Sequence, residues 1–238
     1  MSLRNRAFGA PCCPESERLR HGCHIESAGL NSAMIIKADE TRPRDIYRHL
    51  INIITPRPIA WVSTISKNGV PNLAPFSFFS GVGSRPPSLL FCPANKRDGS
   101  PKDTLRNIEA IGEFVVNMVS FELAEQMHQS AAELDFETSE FDAVGLATAD
   151  SEQVKAPRVA EAKISVECEL MQSLHLGVGP GASNVVIGRI LVIRMDDDVV
   201  DAEGWADADK LNVIGRMGNA GYVRTNDRFD LGAREVKK

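Results

Sequence analysis

No run in this 238-residue chain approaches the ~20 consecutive apolar residues that a membrane-spanning helix needs. Nor is there a basic excess. With 27 Lys and Arg against 32 Asp and Glu, the formal charge is −5 and the pI near 5.6. That balance argues against nucleic acid or an anionic membrane as the main partner. The five cysteines build no framework: there is no C-x-x-C and no Cys/His spacing suited to zinc. Cys12, Cys13 and Cys23 crowd near the start, while Cys92 and Cys168 sit alone in apolar stretches. Free thiols in a reducing cytoplasm are therefore expected, and no metal site. Internal repeats and low-complexity tracts are also missing. No Ser/His/Asp order or paired-carboxylate arrangement gives hydrolase chemistry positive support. What remains is the ordinary composition of a soluble globular protein.

Two glycine clusters could pass for nucleotide-binding loops. Gly177-Val178-Gly179-Pro180-Gly181 lacks the third glycine of a dinucleotide fingerprint and precedes a strand-like run, not a helix. Gly81-Val82-Gly83 runs into Arg85-Pro86-Pro87, which cannot open a helix. Both are expected to be loops. A nucleotide-like cofactor would have to bind without a Rossmann or Walker element.

Patterned sequence begins at about Met34, so residues 1–33 are expected to be a flexible extension without the apolar core of a secretory signal. Pro58 to Ser66 is rich in β-formers and is followed by Lys67-Asn68-Gly69, a hairpin turn signal. The return run, Val70 to Ser80, contains Pro71 and Pro75. It should be irregular, bulged or at an edge, because proline donates no ladder bond. Ser88 to Cys92, Glu113 to Val119, Lys163 to Met171 and Asn184 to Met195 read as further strands. The third of these alternates, with Ser165, Glu167 and Glu169 on an expected wet face. A helix is expected to start at Ser100-Pro101 with Asp103 completing a capping pattern, and to end at Gly112. A second should cover residues 121–134. Beyond about Arg224 the tail (226–238) is polar and loosely held. Hairpin-linked strands without βαβ alternation predict a mainly β protein, a closed or partly closed antiparallel barrel with inserted helices over 34–225.

Within that frame a few residues are suited to chemistry. The first turn of the helix near Lys102 exposes backbone N–H groups, and Lys102 and Thr104 add a charge and a hydroxyl, which suits a phosphate. From this segment alone, an ordinary surface helix is the plainer reading. Arg57, between Pro56 and Pro58, fits a phosphate clamp and a solvated loop arginine equally well. Asn72 to Phe79 combines an amide, a hydroxyl, three phenylalanines and a proline. Such a strand could wall a flat ring system, although core packing accounts for at least part of it. Trp61 is expected in the core. His175, beside the glycine-rich loop, is a candidate for substrate contact, whereas His128 reads as a surface histidine.

Taken together, Thr55-Pro56-Arg57-Pro58-Ile59-Ala60-Trp61-Val62-Ser63-Thr64, the Asn-Gly turn and Asn72-Leu73-Ala74-Pro75-Phe76-Ser77-Phe78-Phe79 resemble the flavin reductase-like FMN-binding family, with its flavoredoxin-like branch closest. Lys102-Asp103-Thr104 with Asn107-Ile108, then Phe141-Asp142 with Gly145-Leu146, and Gly215-Arg216-Met217-Gly218 with Tyr222 match later landmarks of that family. The resemblance spans roughly Asp45 to Arg224. It implies a six-stranded antiparallel split β-barrel, a homodimer and one FMN per subunit near the dimer interface. It further implies that Arg57, Lys102 and Thr104 hold the phosphate, with Asp103 and Asn107 beside them. Ser63, Thr64, Asn72, Leu73, Ala74, Pro75, Ser77, Phe78 and Phe79 would line the isoalloxazine and ribityl chain. The activity implied is flavin reduction by NADH or NADPH, for a monooxygenase or another redox partner. A non-catalytic FMN electron carrier is the alternative. No catalytic acid or base is expected, because hydride transfer to the flavin needs none.

Overall fold

A computed structural model describes residues 33–232, so the expected extension lies almost wholly outside the described residues. The described residues divide into two compact units, 33–46 and 47–232. In the first, a 3-10 turn at Ala38–Glu40 is followed by Thr41, whose hydroxyl donates to Lys37 O.

The larger unit is built on one antiparallel sheet. Its strands are β1 (Ala60–Ile65), β2 (Pro71–Phe76), β3 (Phe79–Ser84), β4 (Pro87–Phe91), β5 (Glu113–Asn117), β8 (Ile164–His175) and β9 (Asn184–Met195), while the short β6 (Thr148–Ala149) and β7 (Arg158–Val159) pair only with each other. They run in the order β2-β1-β5-β8-β9-β4-β3. The two ends of this order, β2 and β3, are separated in sequence only by Ser77 and Phe78. The sheet must therefore curl until its ends meet at that point. Taken as one bent strand, β2 and β3 make the ring six-stranded. Gly81 to Gly83, expected as a loop, belongs to β3, where the register against β4 shifts. A glycine-rich edge tolerates such a shift because no side chain has to be refitted.

Two cores follow from this curl. Inside the barrel, Val62, Phe76, Phe91, Phe114 and Val186 pack with Leu105 and Ile108 of helix α2 (Asp103–Ile111). Gly188 of β9 lies directly against Phe114, where a Cβ would collide with the ring. Outside, Ile59, Trp61 and Leu73 pack against Met127 and Phe141, from α3 (Ala124–Gln129) and α4 (Glu140–Val144). Strand β1 is thus buried on both faces, and its two polar residues, Ser63 and Thr64, are each hydrogen-bonded under cover. Trp61 is a core residue as expected, and its indole N–H donates to Ser130 Oγ at 2.9 Å.

Local expectations needed correction in several places. Helix α2 starts at Asp103, not Ser100. Ser100 Oγ donates to Asp98, and Lys102 at the N-cap offers no side-chain acceptor. The expected end holds, with Gly112 left-handed at φ 85°. The helix expected over 121–134 is a 3-10 turn, Phe121–Leu123, plus α3. It stops where Ser130 turns to meet Trp61. Helix α1 (Pro43–Ile53) was not foreseen, although Pro43 and Asp45 mark a helix start. The wet face expected for β8 is buried at Ser165 and Glu167, while Glu169 keeps its contact with solvent. Glu167 is fully covered and accepts N–H bonds from Glu152 and Gln153 at 2.7 Å and Val154 at 3.3 Å. A loop whose backbone donors meet a carboxylate can cover a strand face that sequence alternation marks as polar.

Among the described residues there is no disulfide, no cluster of metal-ligating side chains, and no helix long and apolar enough to cross a membrane. Burial pushes the Cys92 thiol up, and burial together with Glu167 pushes Cys168 up to about 12. Both are thereby held as unreactive thiols.

Candidate functional site

Strand β2 is an edge of the hydrogen-bonded sheet, and the N-terminus of α2 sits across from it. Between them lies a recess of about 100 Å³. Its walls carry Asn72, Ala74, Pro75 and Phe76 from β2, Lys96, Lys102, Asp103 and Thr104 from the helix side, Ser130 to Leu134, and Glu140. A smaller recess adjoins it, lined by Asn107, Phe136 and again Asn72, Asp103 and Glu140. Because Lys102 caps α2 with no side-chain bond, the first-turn N–H groups remain open toward an anion. Lys96 is committed to Asp103 at 2.8 and 3.0 Å, and Lys102 lies 3.8 Å from Glu133. Lys102 is therefore the less engaged cation. Thr104 Oγ1 lies 3.5 Å from Asn72 Oδ1 and joins the two walls.

Of the residues singled out in sequence, Asn72, Ala74, Pro75, Lys102, Asp103 and Thr104 meet in this recess. Thr64 and Asn107 lie just behind, where Asn107 Nδ2 donates to Thr64 Oγ1 at 3.1 Å and ties α2 to β1. Leu73 does not line the recess, its side chain being in the outer core. Ser63 is buried away from the recess, donating to Pro157 O and accepting from Asn117. Phe79 packs against the barrel core. His175 ends β8, with Nδ1 2.7 Å from Asn184 Oδ1 and Nε2 2.9 Å from Glu109 Oε1, among residues that do not line the recess.

Arg57 departs most from expectation. It is 3% exposed and not among the residues lining this recess. Its Nη1 donates to Ile51 O at 2.5 Å and Ile54 O at 2.9 Å, Nη2 to Gly218 O at 3.1 Å, and Nε to Ser77 Oγ at 3.2 Å. Its guanidinium carbon is 5.8 Å from the Phe78 ring, which in turn meets Tyr47 edge-on. Burial lowers its pKa, with Tyr47 opposing and Arg216 adding to the fall. Four of its five N–H donors are spent on the protein itself, so the expected convergence with the helix tip on one dianion is not the arrangement found.

Sequence reasoning missed Glu140, Lys96 and the 130–134 turn as walls, whereas Phe76 lay within the strand expected to wall a ring. Glu140 was within reach, because it directly precedes the Phe141-Asp142 landmark. Burial holds its carboxyl above the usual range and Asp103 adds to this, against N–H bonds from Leu73, its own backbone and Asn72. A raised folded-state pKa means the folded protein binds the proton more tightly, so stability falls as pH rises through that pKa. Melts of wild type and Glu140→Gln should therefore diverge above the ordinary glutamate range of about 4.3, wild type losing ground as pH rises. A pH-independent difference between the two would contradict the buried-carboxylate account.

Residues 53–212 match the family described as the flavin reductase like domain. An uncharacterized protein of Aquifex aeolicus (strain VF5) is 40% identical, over 78% of this chain and 92% of its own length. The crystal structure of nitrilotriacetate monooxygenase component B from Bacillus cereus is 32% identical with a TM-score of 0.80, covering 85% of this chain and 100% of that one. For Pseudomonas fluorescens 2-nitrobenzoate 2-nitroreductase NbaA the values are 29% and 0.77, over 86% and 98%. The chain thus belongs to the flavin reductase-like family, with its split-barrel fold.

Proposed function

We propose that this chain is an FMN-dependent, NAD(P)H-oxidising flavin reductase whose cofactor occupies the recess between β2 and the tip of α2. The observation that carries the reading is the meeting, in one recess, of an uncapped helix N-terminus, Lys102 and Thr104 with an apolar edge strand. The donors suit a phosphate, and Ala74, Pro75 and Phe76 suit a flat ring. In this assignment Lys102, Thr104 and the amides of α2 hold the phosphate, while Asn72 and the β2 backbone meet the polar edge of the ring system. Arg57 braces the bend at Ser77 and Phe78 and takes no part in holding the ligand. Bound flavin would accept hydride from the nicotinamide and pass electrons on.

At about 100 Å³ the recess is well below the roughly 300–1,000 Å³ of sites that enclose an organic ligand. The ring would therefore lie largely outside this chain's walls. That suits both an open face for the nicotinamide and a second copy of the chain completing the site as a homodimer. Because its relative from Bacillus cereus is named as one component of a monooxygenase, a monooxygenase partner receiving reduced flavin is the favoured acceptor. Cytoplasmic residence accords with the free thiols.

The test is a visible spectrum of the purified protein, repeated after anaerobic NADH or NADPH. Loss of the flavin band near ~450 nm is expected with at least one nucleotide. A yellow protein that neither nucleotide bleaches would be an electron carrier instead. Fluorescence supplies a positional check, since Ser130 both lines the recess and accepts from Trp61. In a Trp205→Phe background, FMN binding should quench most of the Trp61 emission. Retained flavin with undiminished emission would put the ring elsewhere.

A further inference from the structure

Reading the recess as a flavin site gives Glu140 no part, yet it is buried in the wall, 8% exposed, and borders both recesses. Its Oε2 accepts from Asn72 Nδ2 at 3.1 Å and from Leu73 N at 2.9 Å. We propose that Glu140 is a positioning residue of the flavin recess: its one carboxylate oxygen fixes the orientation of the Asn72 amide and the height of the β2 backbone, and so sets the polar edge that meets the ring system. This rests on the flavin assignment.

An amide can present either its NH2 or its oxygen in a given direction, and neighbouring groups decide which. A carboxylate oxygen can be met only by the NH2. Glu140 thereby commits Asn72 Oδ1 to the opposite side, where Thr104 Oγ1 lies 3.5 Å away at the helix tip. The other charges at this wall are Asp103, paired with Lys96, and Lys102 with Glu133 beyond it. None of these is bonded to Asn72.

The sequence landmark around Glu140 acquires a purpose in this light. Helix α4 has five residues, too few to hold itself, so its place is set by packing. Phe141 and Leu146 are buried in the outer core, and Gly145 ends the helix at φ 69°. Together they anchor the segment that delivers Glu140 to β2.

Deflavinated wild type, Glu140→Gln and Glu140→Asp, each with its melting temperature, can be titrated with FMN. Glutamine keeps the reach and an acceptor oxygen, and should bind within about threefold of wild type. Aspartate keeps the charge but withdraws the oxygen by one methylene, and should bind roughly tenfold more weakly. The reverse order, or aspartate binding like wild type, overturns the proposal. Where the aspartate variant does not fold, Asn72→Asp decides the matter. It removes the donor and sets two carboxylates face to face, and should weaken FMN, while the double variant Asn72→Asp/Glu140→Gln restores the side-chain pair with its donor and acceptor swapped but gives up the acceptor of the Leu73 N–H, and should recover part of the loss. Losses that simply add would overturn the idea. If wild type takes up no FMN, the flavin assignment itself fails; if wild type binds and the variants contradict the pattern, Glu140 alone does.

Discussion

Arg57→Ala is expected to destabilise the fold by about 3–5 kcal/mol while leaving the FMN affinity of the folded fraction nearly unchanged. The guanidinium donates to Ile51 O and Ile54 O, carbonyls at and just beyond the last turn of α1 that have no partner within the helix. It also donates to Gly218 O, in the turn between β10 (Ile214–Met217) and β11 (Gly221–Arg224), and to Ser77 Oγ at the bend between β2 and β3. Its backbone pairs with Arg216 in both directions, at 3.0 and 2.8 Å. Truncation therefore leaves several acceptors under cover at once. Lysine should rescue little, because one ammonium cannot serve four separated acceptors in a planar fork. Denaturant melts alongside FMN titrations separate the two accounts. An unchanged midpoint with weakened FMN binding would return Arg57 to the phosphate.

The second large effect is expected at the helix tip. Lys102→Ala should weaken FMN binding by about 1.5–3 kcal/mol, some 10- to 100-fold, as for a lost charged hydrogen bond. Stability should hardly change, since Lys102 is partly exposed and its one ion pair, with Glu133, is long. Thr104→Ala removes a hydroxyl donor from the same tip and should act in the same direction by less. Riboflavin is the control, because it carries the ring and side chain but no phosphate. Its affinity should be indifferent to Lys102→Ala. If riboflavin and FMN weaken equally, the cation is not at the phosphate.

Much of this arrangement was legible in the chain itself. The Asn-Gly turn is realised, with Gly69 at φ 85°, and β2 is the proline-bearing edge its sequence demanded. Lys102, Thr104 and Asn72 were readable because a helix start and an irregular strand both have local signatures. Arg57 was not. Flanking prolines announce a fixed arginine but say nothing of what it faces, and its partners lie as far off as Gly218. Glu167 misled for a similar reason: strand alternation reports polarity, and only the 152–154 loop decides whether a polar face meets water or backbone. Glu140 stayed hidden because its acceptor role depends on a strand nearly 70 residues earlier in the chain.

The join at Ser77 and Phe78 works like the clasp of a bracelet. Those two residues fasten the ends of the ring, and the strand leading into them is also one side of the recess. That side cannot swing outward without unfastening the barrel, whereas residues 131–134, outside any strand or helix, carry no such duty. Accommodation of ligands of different bulk is thereby left to the facing turn. In this chain, substitutions in that turn can alter what the recess admits while the clasp stays as it is.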